Sequence, residues 1–470
     1  MISRENPARV DEVVGTVAVA SADDVDAAVR AAHDGYLRWS RRPVEERVHA
    51  LLVAADELDV KLDEWAVLMA RETGKPRPDC RGELGFAVAL LRWTASRAAD
   101  ACATTEVDDE LGRLQTHKVP YGVIAAITPW NAPVILAMLK LAPALATGNA
   151  VVVKPSPLAP FTLADVCEVL ARHAPVEVVH GGAETGTALV GHPLVRKVAF
   201  TGGEVTARAI GAVAAQAITP TVMELGGNDA AILLPDADLS DAAMDRLVMA
   251  SFATSGQVCM AAKRVYVHSS RFDDVVEAYR AAASRVLVTG DPLTDGVSMG
   301  PVATAAARER LSVLVSDVPS LLPLGTSVGD LSRGYFVEPV LALGCADAHP
   351  VVVTEQFGPV LPLLSYDSED EVVARANASD LGLGASVWSA DEAHAFDVAA
   401  RLESGVAFIN THGRTGMGLR VPFGGVKKSG WGREYGDLGL EEYLQTQAIH
   451  APAAFRAGGS GSGAASYPTG

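Results

Sequence analysis

The chain has 470 residues and a formal net charge of −18, and 49% of it is hydrophobic against 20% charged. At about 100–200 residues per domain the length implies several domains, and the composition supplies a large core and excludes global disorder. The acidity, with no basic run longer than Arg41–Arg42 or Lys427–Lys428, argues against nucleic acid or an anionic membrane as a partner.

The N-terminus, Met1-Ile2-Ser3-Arg4-Glu5-Asn6-Pro7, lacks the apolar stretch of a signal peptide. Residues 21–39 open with a helix signature: Ser21 caps, Asp24 follows three residues on, and Val25, Ala28, Val29, Ala32 and Tyr36 fall at helical spacing. Residues 44–72 and 80–100 read as further helices, so the first hundred residues are mostly helical. The uncharged run from Val119 to Leu139 is long enough for a membrane span, but Pro120, Pro129, Asn131 and Pro133 break it. A buried strand, a turn and a helix start explain it better.

From residue 119 a strand–turn–helix pattern sets in, with strands at 123–127, 150–153, 176–179 and 197–200, each followed by a helix. This is the pattern of βαβ units around a parallel sheet. In such sheets ligands bind beyond the carboxyl ends of the strands. Those ends carry Asn131, Lys154, Gly181-Gly182 and Gly202-Gly203, which suits a phosphorylated or dinucleotide ligand, although no G-x-G-x-x-G stands at a strand–helix junction. A second α/β section follows, with strands at 230–234, 264–268, 360–364, 385–388 and 405–409 and helices at 242–254 and 272–288. Residues 457–470 are rich in Gly, Ser and Ala and read as a disordered tail.

The five cysteines, Cys80, Cys102, Cys167, Cys259 and Cys345, are odd in number, widely spaced and without C-x-x-C. A disulfide scaffold or structural zinc site is disfavoured, and a reducing cytoplasm fits. The histidines do not group, so no metal is expected.

Cys259, in Ser255-Gly256-Gln257-Val258-Cys259-Met260, reads either as a nucleophile beside a glycine turn or as a small buried apolar residue. Glu224, in Met223-Glu224-Leu225-Gly226-Gly227, reads as a base that activates water or as a cap. Lys154 can hold a ribose hydroxyl or phosphate, or simply end a strand in solvent. Asn131 can donate to an oxyanion or cap a helix. Thr201-Gly202-Gly203 can let a pyrophosphate approach a helix N-terminus, or be an ordinary turn.

Taken together, in order and spacing, these elements resemble the aldehyde dehydrogenase superfamily. The matching segments are T-P-W-N (128–131), K-L-A-P-A-L-A-T-G-N (140–149), V-V-K-P-S (152–156), F-T-G-G (200–203), M-E-L-G-G (223–227), G-Q-V-C (256–259), E-Q-F-G-P-V (355–360) and P-F-G-G-V-K-K-S-G (422–430). R-E-T-G-K-P (71–76) also looks like the family.

The resemblance implies an α/β fold with a doubly wound parallel-sheet cofactor domain, an α/β catalytic domain and a small oligomerisation hairpin. It assigns residues 1–102 and 121–225 to NAD(P) binding, 226–430 to the catalytic domain, and 103–120 with 431–452 to oligomerisation as a homodimer or homotetramer. It implies that NAD or NADP, without a metal, oxidises a small-molecule aldehyde to a carboxylic acid. Cys259 is then the nucleophile, Glu224 the base that hydrolyses the thioester, Asn131 the oxyanion donor and Lys140 a lysine that positions the network. Thr128, Pro129, Trp130, Lys154, Ser156, Pro157, Gly186, Phe200, Thr201, Gly202, Gly203, Leu225, Gly226, Glu355 and Phe357 are the implied cofactor contacts. The aldehyde is expected to pass residues 134–138, 258–260 and 411–420.

The chain also departs from the pattern. Pro157 stands where many NAD-preferring members carry an acid, which leaves NADP open. Asn228 replaces a common Lys, Gly203 a common Ser or Thr, and Ala207 a glycine. The chain begins later than typical members, so an N-terminal strand is expected to be missing. Two other readings compete: a CoA-acylating semialdehyde enzyme, disfavoured by Glu224, and a non-catalytic relative, disfavoured by Cys259, Asn131 and Glu224 together. A broad aliphatic or aromatic aldehyde is the default substrate. An acid semialdehyde paired by Arg414 or Arg420 is the alternative, and no aromatic box for a betaine-type cation is evident.

Overall fold

The computed structural model describes residues 1–455; the tail assigned to 457–470 lies outside them. The N-terminal helix Ala22–Trp39 starts where its sequence says, with Ser21 and Asp24 forming a reciprocal capping box. Two later helices lack local side-chain caps, and distant carboxylates serve instead. Glu72 accepts from the N–H groups of Phe161 (2.9 Å) and Thr162 (3.0 Å) at the start of Phe161–Ala171. Glu83 accepts from Val134 (2.9 Å) and Ile135 (3.2 Å) at the start of Pro133–Ala146. Each satisfies donors that a helix start leaves orphaned and places negative charge at the positive end of the dipole.

A six-stranded sheet organises the first half. Strands Thr221–Glu224, Val195–Thr201, Val123–Ile127, Ala150–Lys154 and Val176–Val178 run parallel in that spatial order, and Gly430–Trp431 adds antiparallel to the outer edge of Thr221–Glu224. The order of first connection reverses between Val123–Ile127 and Val195–Thr201. That is the switch point of a doubly wound sheet, where a crevice opens beyond the strand ends. Val123–Ile127 and Ala150–Lys154 are buried along their whole length, as strands covered by helices on both faces must be. Helix Pro133–Ala146 is buried throughout, Lys140 included.

A seven-stranded sheet organises the second half, in the order Ser320–Pro323, Val340–Leu343, Val360–Tyr366, Ala262–His268, Asp229–Leu233, Gly384–Trp388, Val406–Ile409. Only the first of these strands is antiparallel to its neighbour. A third sheet joins Thr105–Asp109, Gly112–Pro120 and Leu444–Pro452, all antiparallel. Trp431, grouped by the resemblance with the oligomerisation elements, pairs with Met223 in the six-stranded sheet.

Residues 2–17, ahead of the first expected helix, form an antiparallel hairpin, Ile2–Asn6 with Arg9–Val17, where an N-terminal strand had been expected to be missing. Its burial does not alternate cleanly, so it carries no period-2 signal. Among the described residues no helix is long and apolar enough to cross a membrane. The uncharged run after Lys118 divides into the end of one strand, the strand Val123–Ile127 and the helix from Pro133.

Candidate active site

Cys259 lies in a turn after the helix Asp241–Phe252, between the two large sheets. The residues leading to it are held in unusual backbone conformations: Thr254 (φ 55°), Ser255 (φ 58°) and Gly256 (φ 70°) are all left-handed. For Thr and Ser this conformation costs energy and persists only where surroundings impose it. They do so here. Ser255 Oγ donates to the Gly300 carbonyl (2.8 Å), and the Gln257 side chain joins the Ala303 N–H (2.9 Å) to the Thr254 carbonyl (3.1 Å). A Cβ on Gly256 would collide with the Gly358 carbonyl, so only glycine closes this turn.

Two cavities meet at this cysteine. Cys259, Asn131 and Leu136 line both. The first, about 400 Å³, is walled by Pro129, Trp130, Thr201, Gly202, Gly203, Glu204, Glu224, Leu225, Gly226, Glu355 and Phe357. It opens at the switch point of the six-stranded sheet. The second, about 260 Å³, is walled by Lys75, Pro78, Asp79, Glu83, Phe86, Ile135, Val258, Met260, Arg414, Met417 and Tyr435.

Asn131 is buried, and its Nδ2 donates to the Gln257 carbonyl at 3.0 Å. An amide nitrogen carries two protons, so this bond orients the group and leaves one donor. Glu224 ends the strand Thr221–Glu224 and is almost wholly buried. Burial pushes its carboxyl up to about 8; Glu434 pushes it further, and Lys140 and the Cys259 thiol pull it down. Burial also raises the Cys259 thiol, with Glu224 adding to the rise and Lys263 opposing it.

Lys140 lies beneath the site. Its Nζ donates to Thr201 Oγ1 (2.6 Å), Glu434 Oε1 (2.7 Å) and the Leu136 carbonyl (3.2 Å), using all three protons of a fully buried ammonium. Burying such an ion requires this complete pairing.

The remaining predicted contacts divide into two groups. Trp130 and Phe357 face one another edge to face at 5.8 Å across the larger cavity. Gly202 and Gly203 lead into helix Glu204–Gln216, whose start has no side-chain cap; a Cβ on Gly203 would meet open space. A Cβ on Gly226 would overlap Glu355 Oε2. Thr128 and Phe200 are buried behind the wall, Thr128 donating its N–H to the Lys154 carbonyl (3.2 Å). Lys154, Ser156, Pro157 and Gly186 lie beyond that wall. Lys154 Nζ donates to the Gly181 carbonyl at 2.9 Å, Gly186 packs near its side chain, and burial lowers its ammonium to about 8.

The smaller cavity contains the expected Ile135, Leu136, Val258, Met260, Arg414 and Met417. His412 is fully buried elsewhere, its Nδ1 beside Ser386 Oγ (2.8 Å), and Arg420 is not in the wall. Sequence reasoning missed the wall supplied by helix Arg77–Ala101, and it missed Glu434, Tyr435, Lys75, Glu83 and Lys263. Lys263 stands four residues after the cysteine and Glu434 four after the last family-like segment; proximity to those segments was the available signal. Among the described residues no cluster of His, Cys, Asp or Glu is placed to hold a metal ion.

The sequence matches the aldehyde dehydrogenase family over residues 1–449. A geranial dehydrogenase from Castellaniella defragrans is 36% identical over 453 residues, covering 94% of each chain. The solved NAD+ complex of an aldehyde dehydrogenase from Bacillus cereus superposes with a TM-score of 0.90 at 31% identity, covering 96% of this chain and 93% of that one. An NADP-dependent glyceraldehyde-3-phosphate dehydrogenase from Bacillus halodurans, solved with NADP, gives 0.89 at 32% identity, covering 96% and 95%. The chain belongs to the aldehyde dehydrogenase family. It is an oxidoreductase that acts on aldehydes.

Proposed function

We propose that the protein oxidises an apolar aliphatic or aromatic aldehyde to its carboxylic acid with NAD or NADP, through a thioester on Cys259. The observation that carries this reading is the meeting of two cavities at Cys259 and Asn131. One has the chemistry of a dinucleotide site and the other that of an apolar tunnel.

The residues of the larger cavity fit the cofactor. The uncapped start of helix Glu204–Gln216, approached through two glycines, suits a pyrophosphate. Glu355 suits ribose hydroxyls, and Trp130 with Phe357 suits a flat ring. Lys154, Ser156, Pro157 and Gly186 would lie along the adenosine end. Pro157 offers no carboxylate to repel a 2′-phosphate, and both solved relatives above, one with each nucleotide, share the fold. When bound, the cofactor supplies the hydride acceptor.

The chain's own residues do the rest. The Cys259 sulfur bonds to the aldehyde carbon as its thiol proton passes to the adjoining Glu224 carboxylate, which gives it up to solvent before the hydrolytic step, and the carbonyl opens to an oxyanion. The free proton of Asn131 Nδ2 and the Cys259 backbone N–H hold that oxyanion, an effect worth about 2.7–4 kcal/mol per donor. Loss of hydride from the carbon leaves an acyl thioester on sulfur. Glu224 takes a proton from water, the oxygen attacks the acyl carbon, and the acid leaves as the C–S bond breaks. A base titrating near neutrality is suited to this step, and Lys140 with Glu434 sets the charge beneath it.

The tunnel favours apolar substrates. Its one arginine, Arg414, is paired with Asp79 at 3.1 Å, and Lys75 with Glu83, so neither cation is free for a substrate carboxylate. Five free thiols fit a reducing cytoplasm. The three-stranded sheet, with Val107, Leu111, Leu114 and Ile449 exposed, is the face we assign to a homodimer or homotetramer.

The test is the appearance of reduced nicotinamide with NAD or NADP against a panel of aliphatic, aromatic and carboxylated aldehydes. Reduction that is lost in Cys259→Ala and falls to one burst in Glu224→Gln is expected. Turnover confined to the carboxylated aldehydes would sink the apolar-tunnel reading, and turnover only with added CoA would replace water as the acceptor.

A further inference from the structure

Lys263 is the second residue of the strand Ala262–His268, and its side chain is 3% exposed. Its ammonium donates to the Gly227 carbonyl at 2.8 Å, the Cys259 carbonyl at 2.5 Å and Glu355 Oε1 at 2.7 Å. An ammonium has three protons, and all three are committed. The acceptors come from separate parts of the fold: the glycine turn after Glu224, the nucleophile turn, and the carboxylate facing the larger cavity. Glu355 Oε1 also accepts from the Gly227 N–H at 3.3 Å, and the Phe357 ring lies 5.8 Å from Nζ. None of the family-like segments that suggested the active site includes Lys263.

We propose that Lys263 is a positioning residue that couples occupation of the cofactor's ribose site to the set of the Cys259 turn. The inference rests on the reading, given above, that Glu355 takes ribose hydroxyls. A ribose drawn to Glu355 competes with Lys263 for the same carboxylate. As that bond weakens, the ammonium shifts its weight to the Cys259 and Gly227 carbonyls and fixes the nucleophile's peptide. The cysteine is then held for attack when the cofactor is in place. Such coupling is reciprocal: what the ribose does to the turn, the turn does to ribose binding.

The probe is ADP-ribose, which carries both riboses but no nicotinamide ring to shield the sulfur. The readout is the rate of Cys259 alkylation by iodoacetamide, followed by mass spectrometry from about pH 6 to about pH 10. The charged groups acting most strongly on this thiol are Glu224, Lys263, Glu355 and Asp229, and the titratable Tyr435 hydroxyl also faces it. In the unaltered protein, saturating ADP-ribose should change the rate by about fivefold or more, the lower range of measured couplings. In Lys263→Met that ratio should fall to near one while ADP-ribose still binds, and the pH midpoint of alkylation should rise because the only cation among those groups is gone. Lys263→Arg, which keeps the charge, should bring the midpoint back.

If Lys263→Met does not fold, Glu355→Gln breaks the same link from its more exposed end and should also bring the ratio to near one. An undiminished ratio in Lys263→Met, or an unaltered protein indifferent to ADP-ribose, overturns the coupling. Calorimetry separates this from failure of the ribose reading: Glu355→Gln binding ADP-ribose as tightly as the unaltered protein would discard Glu355 as the ribose carboxylate, and the coupling with it.

Discussion

The two cavities that meet at Cys259 are made of different material. The larger lies at strand ends, where Gly202, Gly203, Leu225 and Gly226 line it, with Trp130, Glu355 and Phe357 at its sides. The smaller is built from side chains of two helices, Arg77–Ala101 and Pro133–Ala146, and the turn near Arg414. In the glycine-lined wall, a Cβ added at Gly202 or Gly226 would overlap the Phe200 ring or Glu355 Oε2, whereas one at Gly203 would meet open space. A wall of side chains can be reshaped one residue at a time. The difference suggests that the larger cavity serves a constant ligand and the smaller a variable one.

Predictions can be ordered by how hard they press on that contrast. The residues shared by both cavities should matter most. Cys259→Ala should reduce oxidation to background with every aldehyde and either cofactor, measured by reduced nicotinamide.

Glu224→Gln should slow thioester hydrolysis by about 10²–10⁴-fold, leaving one burst per site. The unaltered enzyme's hydrolysis rate should rise through about pH 8, because the carboxyl is protonated below that value and a base only above it. The same group makes stability fall as pH rises. Its native value is raised, so the stabilisation is full below the ordinary carboxylate range and lost on passing about 8. Stopped-flow acyl-enzyme decay against pH checks the first, and urea midpoints at matched pH check the second.

Asn131→Ala should lower kcat about 10²–10³-fold with little change in cofactor affinity. A comparable loss in nucleotide binding would mean that Asn131 belongs to the cofactor wall alone.

Gly226→Ala presses on the glycine-lined wall, since its Cβ would overlap the Glu355 carboxylate. The expected outcome is roughly tenfold weaker nucleotide binding, the equivalent of about 1.4 kcal/mol, with aldehyde preference intact.

The smallest effect should come from the side-chain wall. Met417→Ala, which removes the side chain beyond Cβ, should move preference toward bulkier aldehydes by about 10-fold, the low end of what an apolar pocket discriminates. Ratios of kcat/KM over a homologous series measure it, and an unchanged ratio would remove Met417 from the substrate's path.

This contrast also governs how much could be read beforehand. The strands of the six-stranded sheet stood out as apolar runs ending in polar or glycine turns, and Val123–Ile127 falls where its pattern put it. The larger cavity sits at those ends, so most of its wall was legible. The side-chain wall was legible only near the cysteine and along the helix after Asn131. Phe86 and Tyr435 carry no local mark of being neighbours, yet their rings lie 6.2 Å apart. The buried ions were harder still. Lys140 resembles a family lysine, but its partner Glu434 is 294 residues away, and Glu83 caps a helix 51 residues downstream.

By itself the sequence determined the alternation of strands and helices, the capping of the first helix and the order of chemically capable residues. These depend on neighbours within a turn or two, and hydrogen bonding and hydrophobic periodicity act at that range. Tertiary structure decided which groups are buried and which charges are paired, and therefore the high carboxyl of Glu224 and the three-way grip of Lys263. Burial and Coulomb energy depend on distance in space, and only the folded chain sets that distance.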